Sequence, residues 1–131
     1  MNATKVMGRI NESAASHTDE SRTVEAIAVG QWFGQGDISI RRIEAKDVSG
    51  EKTTERQLAP GTSKGSRHIV EGNVTVLAPK TDDPLRGPYL RASERFTVTH
   101  PEHGDVCLPK GDYAVTYQRD FAMEERARVA D

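Results

Sequence analysis

Residues 89–100 read Tyr-Leu-Arg-Ala-Ser-Glu-Arg-Phe-Thr-Val-Thr-His, and they contain the clearest alternation of apolar and polar side chains in the chain. Phe96, Val98 and His100 fall on one face of an extended segment, and the threonines between them fall on the other. A period of two is typical of a strand that buries one face. The stretch therefore predicts a β-strand that ends at a histidine.

Similar short segments with turn-forming residues between them lie on both sides of this strand. The further predicted strands are residues 23–29 (TVEAIAV), residues 37–44 with a bulge near Arg41-Arg42 that returns Ile43 to the core side, residues 56–59, residues 66–70 and 73–78 joined as a hairpin at Glu71-Gly72, residues 106–108 and residues 113–117. Residues 50–54 and 79–88 are predicted as loops. Strands about ten residues apart indicate an all-β fold, either a small barrel or a jelly-roll-like sandwich.

The chain has the length of one domain, since it contains 131 residues. Residues 1–22 lack a sustained period and are rich in small and polar side chains, which predicts a flexible N-terminal arm. Residues 23–120 form the predicted β domain. Residues 121–131 form a tail in which the pattern favours a short helix.

Composition excludes several classes of partner and site. The formal net charge of −2 gives no global attraction for nucleic acid or anionic lipid, so binding of either kind needs a local patch. The single cysteine, Cys107, excludes an internal disulfide and a zinc site built from several cysteines. No apolar run approaches the roughly 18 residues of a membrane span. We therefore expect a cytoplasmic protein without a membrane partner.

A histidine-bearing turn at residues 99–103 (THPEH) is the main candidate site. It contains His100, Glu102 and His103, and the strand alternation places His68 on an inward face as well. Three imidazoles suit zinc or a redox metal, with Glu102 or Glu71 as a neighbouring carboxylate. Alternatively, His100 is hydrogen-bonded beneath the loop and His103 is a turn residue.

A third interpretation is acid–base chemistry on a phosphate ester, with His68 and His100 as the pair. The loop of residues 61–67 (GTSKGSR) leads directly into His68, and its backbone N–H groups suit an anion. Lys64, Ser66 and Arg67 are its candidate phosphate contacts, and Arg119 completes the set of candidate substrate-binding residues. The sequence leaves these three interpretations open, and it leaves any cofactor unknown.

Residues 104–111 (GDVCLPKG) resemble the second motif of cupins, in which Pro-x-Gly forms a turn of a β-barrel. The first cupin motif is only partly present, because Ser66 stands in place of its first histidine. Ala114 stands where the second motif has its histidine. The resemblance therefore implies the barrel and not the cupin metal site.

A second resemblance covers residues 30–120. The segments that match are residues 35–38 (QGDI), Arg67-His68, residues 99–103 (THPEH) and residues 108–119 (LPKGDYAVTYQR). They are similar to an uncharacterised group of small bacterial and phage β proteins. This resemblance implies a common fold and the same histidines, and it implies no reaction.

Three functions follow from these observations. The first is an interaction or assembly module that forms a homo-oligomer, because the chain has few aromatic residues and no complete catalytic motif. The second is an enzyme acting on a phosphodiester or nucleotide, and the third is a metal-binding protein that uses His68, His100 and His103. Trp32-Phe33 suits a core or interface anchor better than a stacking platform, and Arg41-Arg42 suits a solvated strand face.

Overall fold

Two β-sheets pack against each other in the computed structural model, which describes residues 21–59 and 67–118. The elements are β1 Arg22–Thr23, β2 Trp32–Gln35, β3 Ile38–Ile43, a 3-10 turn at Ala45–Asp47, β4 Glu51–Thr53, β5 Ile69–Glu71, β6 Val74–Ala78, β7 Arg86–Ala92, β8 Phe96–Thr99, β9 Val106–Leu108 and β10 Gly111–Tyr117. The all-β prediction is confirmed. Each sheet has its own edge strands, so the fold is a sandwich and not a closed barrel.

The larger sheet has the strand order β2-β3-β10-β7-β6-β4, and the smaller sheet has the order β1-β9-β8-β5. We refer to them as the large sheet and the small sheet. Strand β1 runs parallel to β9, and the other neighbouring pairs are antiparallel. Alternating side chains from the two sheets meet in one core, because every second residue of a strand points to the same face.

The core is mainly aliphatic and also contains the rings of Phe33, Phe96 and Tyr113. Phe96 and Tyr113 meet edge to face with 5.4 Å between ring centroids. The aliphatic side chains around them, each no more than 1% exposed, include Ile38, Ile40, Leu90 and Val115 of the large sheet and Val70, Val98, Val106 and Leu108 of the small sheet. Burial of such a side chain contributes about 1.5–3 kcal/mol relative to exposure. This shared core holds the two sheets together.

The predicted hairpin at residues 66–78 is wrong. Strand β5 pairs with β8 in the small sheet, whereas β6 pairs with β4 and β7 in the large sheet. Gly72 takes the chain from one sheet to the other with a φ of +116°, which favours glycine. Arg56 holds this crossing, because its guanidinium donates to the carbonyls of Val70 (3.2 Å), Gly72 (3.0 Å) and Val74 (2.7 Å).

The predicted bulge near Arg41-Arg42 is also wrong. Strand β3 pairs with β10 without interruption from Ile38 to Ile43. Arg42 consequently lies on the inward face, where its guanidinium carbon is 5.7 Å from the centroid of the Tyr113 ring. The sheet irregularity falls instead between β10 and β7, at Ala114 and Thr116.

Further expectations concern short strands, loops and the two ends of the chain. The predicted strand at residues 23–29 ends at Thr23, and the predicted loop at residues 50–54 contains β4. Residues 56–59 contribute an isolated bridge between Gln57 and Ile69 in place of a strand. Residues 1–20 of the predicted arm and the predicted C-terminal helix lie outside the described residues. No helix within the described residues is both long and apolar enough to cross a membrane.

Candidate functional site

His100 follows the last residue of β8 and continues its inward face. Its side chain is 4% exposed, as the alternation with Phe96 and Val98 predicts. Its Nδ1 accepts hydrogen bonds from the backbone N–H groups of Glu102 (3.0 Å) and His103 (3.1 Å). Because Nδ1 is the acceptor, the proton of the neutral ring is on Nε2. His100 therefore fixes the turn that follows it.

His68 lies just before β5 and is fully buried. Its Nδ1 is 2.8 Å from the side-chain Oε1 of Gln35 in β2. Gln35 Nε2 donates to the carbonyls of Val98 (3.0 Å) and Gly104 (2.8 Å). Since both amide hydrogens bind carbonyls, Oε1 is the acceptor and His68 Nδ1 is the donor. A buried amide of the large sheet is thus bonded to three residues around the small sheet.

The three histidine rings form a continuous series, which we call the imidazole row. The ring centroids of His68 and His100 are 4.4 Å apart with an interplanar angle of 49°. Those of His100 and His103 are 4.5 Å apart with an angle of 41°. His103, at the half-buried end of the row, lies against Gly36, where an added Cβ would come within 2.6 Å of His103 Cδ2. Gly36 also has a φ of +56°, so the site requires glycine there.

The contacts of the imidazole row limit its chemistry. The rings of His68 and His100 touch, so no phosphate fits between them. The Nδ1 atoms of both rings are engaged in hydrogen bonds within the protein. Among residues 21–59 and 67–118, no group of three or more His, Cys, Asp or Glu side chains is arranged to hold a metal ion. In this geometry the imidazole row links the turn of residues 100–103 to both sheets.

The other predicted site residues are more dispersed. Glu102 is exposed and contributes its backbone N–H to His100. Arg67 is exposed next to His68 in the chain. Lys64, Ser66 and Arg119 lie outside the described residues. Of the predicted site, the structure therefore brings together the three histidines and the main chain of Glu102.

Gln35 is a site residue that the sequence analysis missed. It is 1% exposed and lies in phase with Phe33, two positions before it on β2. The signal is a polar residue on the inward face of a strand, because burying an amide is unfavourable unless it is hydrogen-bonded. That signal predicts a buried partner, and the partner is His68.

A second feature is an exposed apolar segment at residues 26–30 (AIAVG), which we call the apolar loop. Ile27 is buried and anchors it, whereas Ala26 and Ala28 are exposed and Val29 is 56% exposed. Within the loop, the N–H of Ala28 donates to Gln31 Oε1 (2.8 Å), and the N–H of Gly30 donates to the carbonyl of Arg42 (2.8 Å). The loop therefore has a defined conformation despite its exposure.

Two arginines fix the start of the apolar loop through carbonyl groups. Arg42 Nη1 donates to the carbonyl of Ile27 at 3.2 Å. Arg95 donates to the carbonyls of Val24 (2.8 Å) and Glu25 (3.4 Å). Such charge-assisted hydrogen bonds are stronger than neutral ones. The apolar loop is thus attached to the large sheet through one arginine and to the segment before β8 through the other.

Comparison with known proteins gives the family and no activity. No curated protein and no solved structure matches the chain. The family model described as "Domain of unknown function (DUF8820)" matches residues 34–118. This segment contains β3 to β10, the imidazole row and Gln35, and it is more than half of the chain. The chain therefore belongs to the DUF8820 family of domains of unknown function.

Proposed function

We propose that this chain is an assembly module that self-associates through the apolar loop. The observation that supports the proposal most directly is Val29, which is 56% exposed on a loop that is hydrogen-bonded at both ends. An isolated exposed apolar residue is common on protein surfaces. Here, however, Ala26 and Ala28 extend the apolar surface around it.

A fixed apolar loop is suited to binding because less conformational entropy is lost when it docks. The loop also suits a second copy of the same chain. In a two-fold dimer a patch meets itself, so a charged patch would be repelled. Ala26, Ala28 and Val29 carry no charge, and the apolar loop is therefore complementary to itself.

The imidazole row supports this function over acid–base catalysis. Nδ1 of His68 is bonded to Gln35, and Nδ1 of His100 is bonded to the main chain of Glu102 and His103, so neither atom is available to a substrate. A rigid connection between the sheets is what an assembly module needs in order to hold its surface in place. The site therefore acts as internal support for the fold.

The test is sedimentation velocity of the whole chain and of Val29→Glu. We expect the wild type to form dimers or larger closed oligomers and the variant to be monomeric, because two carboxylates would be buried against each other in the interface. Ala45→Glu is the matched control, since Ala45 is exposed and lies in the 3-10 turn after β3. That control should retain the wild-type oligomer.

Two results would contradict the proposal. One is a wild-type monomer at concentrations up to about 1 mM, where even a weak interface is populated. The other is a Val29→Glu oligomer of unchanged size. Thermal unfolding of each variant, followed by circular dichroism, establishes that a monomeric variant is still folded.

A further inference from the structure

The side of the large sheet that points away from the core is a distinct surface, which we call the outer face. Ile40 is buried in the core, so the next residue of β3, Arg41, points outward. Residues paired in register share a face, and the pairing continues from Arg41 across the whole sheet. The residues in register on this face are Trp32, Arg41, Ala114, Tyr89, Leu77 and Lys52. Ala114 and Tyr89 in the middle are buried, whereas Arg41 and Lys52 are exposed.

The outer face is positively charged although the chain has a net charge of −2. Arg41, Arg86, Arg91 and Lys52 lie on it and are all exposed. Asp112 lies on the same face and pairs with Arg91 at 2.9 Å, which leaves three cations without a carboxylate partner among the described ion pairs. A local positive patch of this kind attracts a polyanion independently of the net charge.

Aromatic rings accompany these cations. Trp32 is half-buried at one edge of the sheet, directly opposite Arg41 in register. Arg86 lies over the ring of Tyr89, 5.6 Å from its centroid, and donates to its hydroxyl at 2.9 Å. The contacts with Tyr89 hold the Arg86 guanidinium in place. The register of β2 and β3 places the indole of Trp32 beside Arg41.

We propose that the outer face binds single-stranded nucleic acid. Arg41, Arg86 and Lys52 contact phosphates, and Trp32 stacks on a base. Aromatic side chains beside cations are a common means of binding single strands, because every base has a face that can stack. The sheet is about 24 Å wide at a strand spacing of about 4.8 Å, which suits a site of about four nucleotides.

The same observations disfavour two other occupants. A second copy placed on this face would oppose arginines to arginines, and like charges repel. An acidic polypeptide satisfies the charges but gives no role to the indole of Trp32. Duplex nucleic acid keeps its bases stacked on one another inside the helix, so the indole of Trp32 would have no base face to contact.

Fluorescence anisotropy with labelled oligonucleotides of about 20 residues tests the charges. We expect the wild type to bind single-stranded DNA or RNA, with log K falling against log salt at a slope of about −2, as three phosphate contacts predict. The double variant Arg41→Glu/Arg86→Glu should weaken binding by at least about tenfold. It should also reduce the magnitude of the slope to about 1 or less. Lys110→Glu is the control, because Lys110 is exposed in the turn before β10 and is not one of the outer-face residues.

Substitution of Trp32 tests stacking separately from charge. Trp32→Ala should weaken binding by about tenfold while the salt slope stays unchanged, and Trp32→Phe should restore part of the affinity. A Trp32→Ala variant that binds as well as the wild type contradicts the stacking contact and overturns the proposal.

Three other results would overturn it. The first is an absence of binding by the wild type at low salt, and the second is an equal loss of affinity in Lys110→Glu and in the double variant. The third is duplex DNA or polyglutamate that competes as well as an unlabelled single strand. Polyglutamate that competes equally identifies an acidic polypeptide as the partner. Self-association is a separate question, because Val29→Glu leaves every residue of the outer face in place and should still bind.

Discussion

Gln35 occupies an inward position of β2 at which the alternation of the strand calls for an apolar side chain. Its amide accepts from His68 and donates to two carbonyls, so each of its polar groups has a partner. The inward positions of His68 and His100 follow from alternation along β5 and β8, next to which they lie, whereas His103 lies in the turn after β8. Their common partner does not, because Gln35 and His68 are 33 positions apart and only the packing of the two sheets brings them together.

Gln35→Leu should lower the free energy of unfolding by about 2–4 kcal/mol. The substitution keeps the volume but leaves His68 Nδ1 and the carbonyls of Val98 and Gly104 without this partner, and a buried polar group left unsatisfied costs about 1–3 kcal/mol. Urea unfolding at neutral pH measures the change. Gln31→Leu is a useful comparison, since Gln31 is exposed and bonded to a single backbone N–H, and its loss should be smaller. Equal losses in the two variants would show that the buried amide is not the stronger link.

At the scale of elements, the predicted strands coincide closely with β3, β5, β6, β8, β9 and β10, but their partners were not predictable. Strand β2 was missed, β7 begins within the predicted loop at residues 79–88, and the predicted strand at residues 89–100 is divided between β7 and β8 in different sheets. The segments that became β5 and β6 were both recognised, and a two-residue separation at Glu71-Gly72 is typical of a hairpin. The structure places them in different sheets because Arg56, from a distant part of the chain, binds the carbonyls on both sides of Gly72. Strand β4 was missed because its sequence, Glu-Lys-Thr, has no apolar residue. Short charged strands of this kind are common at sheet edges, where they oppose aggregation.

Arg56→Ala should destabilise the crossing between the sheets by about 2–3 kcal/mol. Three carbonyls lose a charged donor at once, and the net contribution of a hydrogen bond to a charged group is about 1.5–3 kcal/mol. The total stays near that of one such bond because Arg56 is half-buried, so water reaches part of the site in the variant. Arg91→Ala is the comparison, because the exposed Arg91 forms an ion pair with Asp112 and donates to a single carbonyl, that of Ala45. Exposed pairs contribute about 0–1 kcal/mol. Denaturant unfolding of both variants decides the matter, and a larger loss for Arg91→Ala would refute the role assigned to Arg56.

Two tyrosines of β10, the buried Tyr113 and the half-buried Tyr117, donate hydrogen bonds to carbonyls of neighbouring segments. Tyr113 donates to the carbonyl of Pro109 at 2.7 Å, and Tyr117 donates to that of Leu58 at 2.9 Å. Burial raises the pKa of Tyr113 to about 12 despite the opposing effect of Arg42, and burial also raises the pKa of Tyr117 to about 12. Both shifts favour the protonated hydroxyl in the folded state.

Stability should therefore fall in alkali between about pH 10 and pH 12. Below the ordinary tyrosine pKa of 10.0 both states keep the proton, and the contribution is complete. Above it the tyrosines of the unfolded chain ionise first. The contribution of each tyrosine to the free energy of unfolding then falls by about 2–3 kcal/mol as the pH reaches the pKa of the folded state. Urea unfolding across this range measures the loss, and Tyr117→Phe should show a shallower dependence on pH than the wild type. Identical pH profiles would mean that Tyr117 does not contribute.

The position of β10 also determines when the fold can form. It lies between β3 and β7 in the large sheet, yet it is the last strand of the described chain. During synthesis the β2–β3 hairpin consequently emerges long before the strand that covers its other edge, with Ile38 and Ile40 still exposed to water. Pairing between distant segments is slow, because a long loop must close before any contact forms. Folding of this sandwich thus waits until β10 has been synthesised, and the chain without β10 is the state most exposed to aggregation and to chaperones.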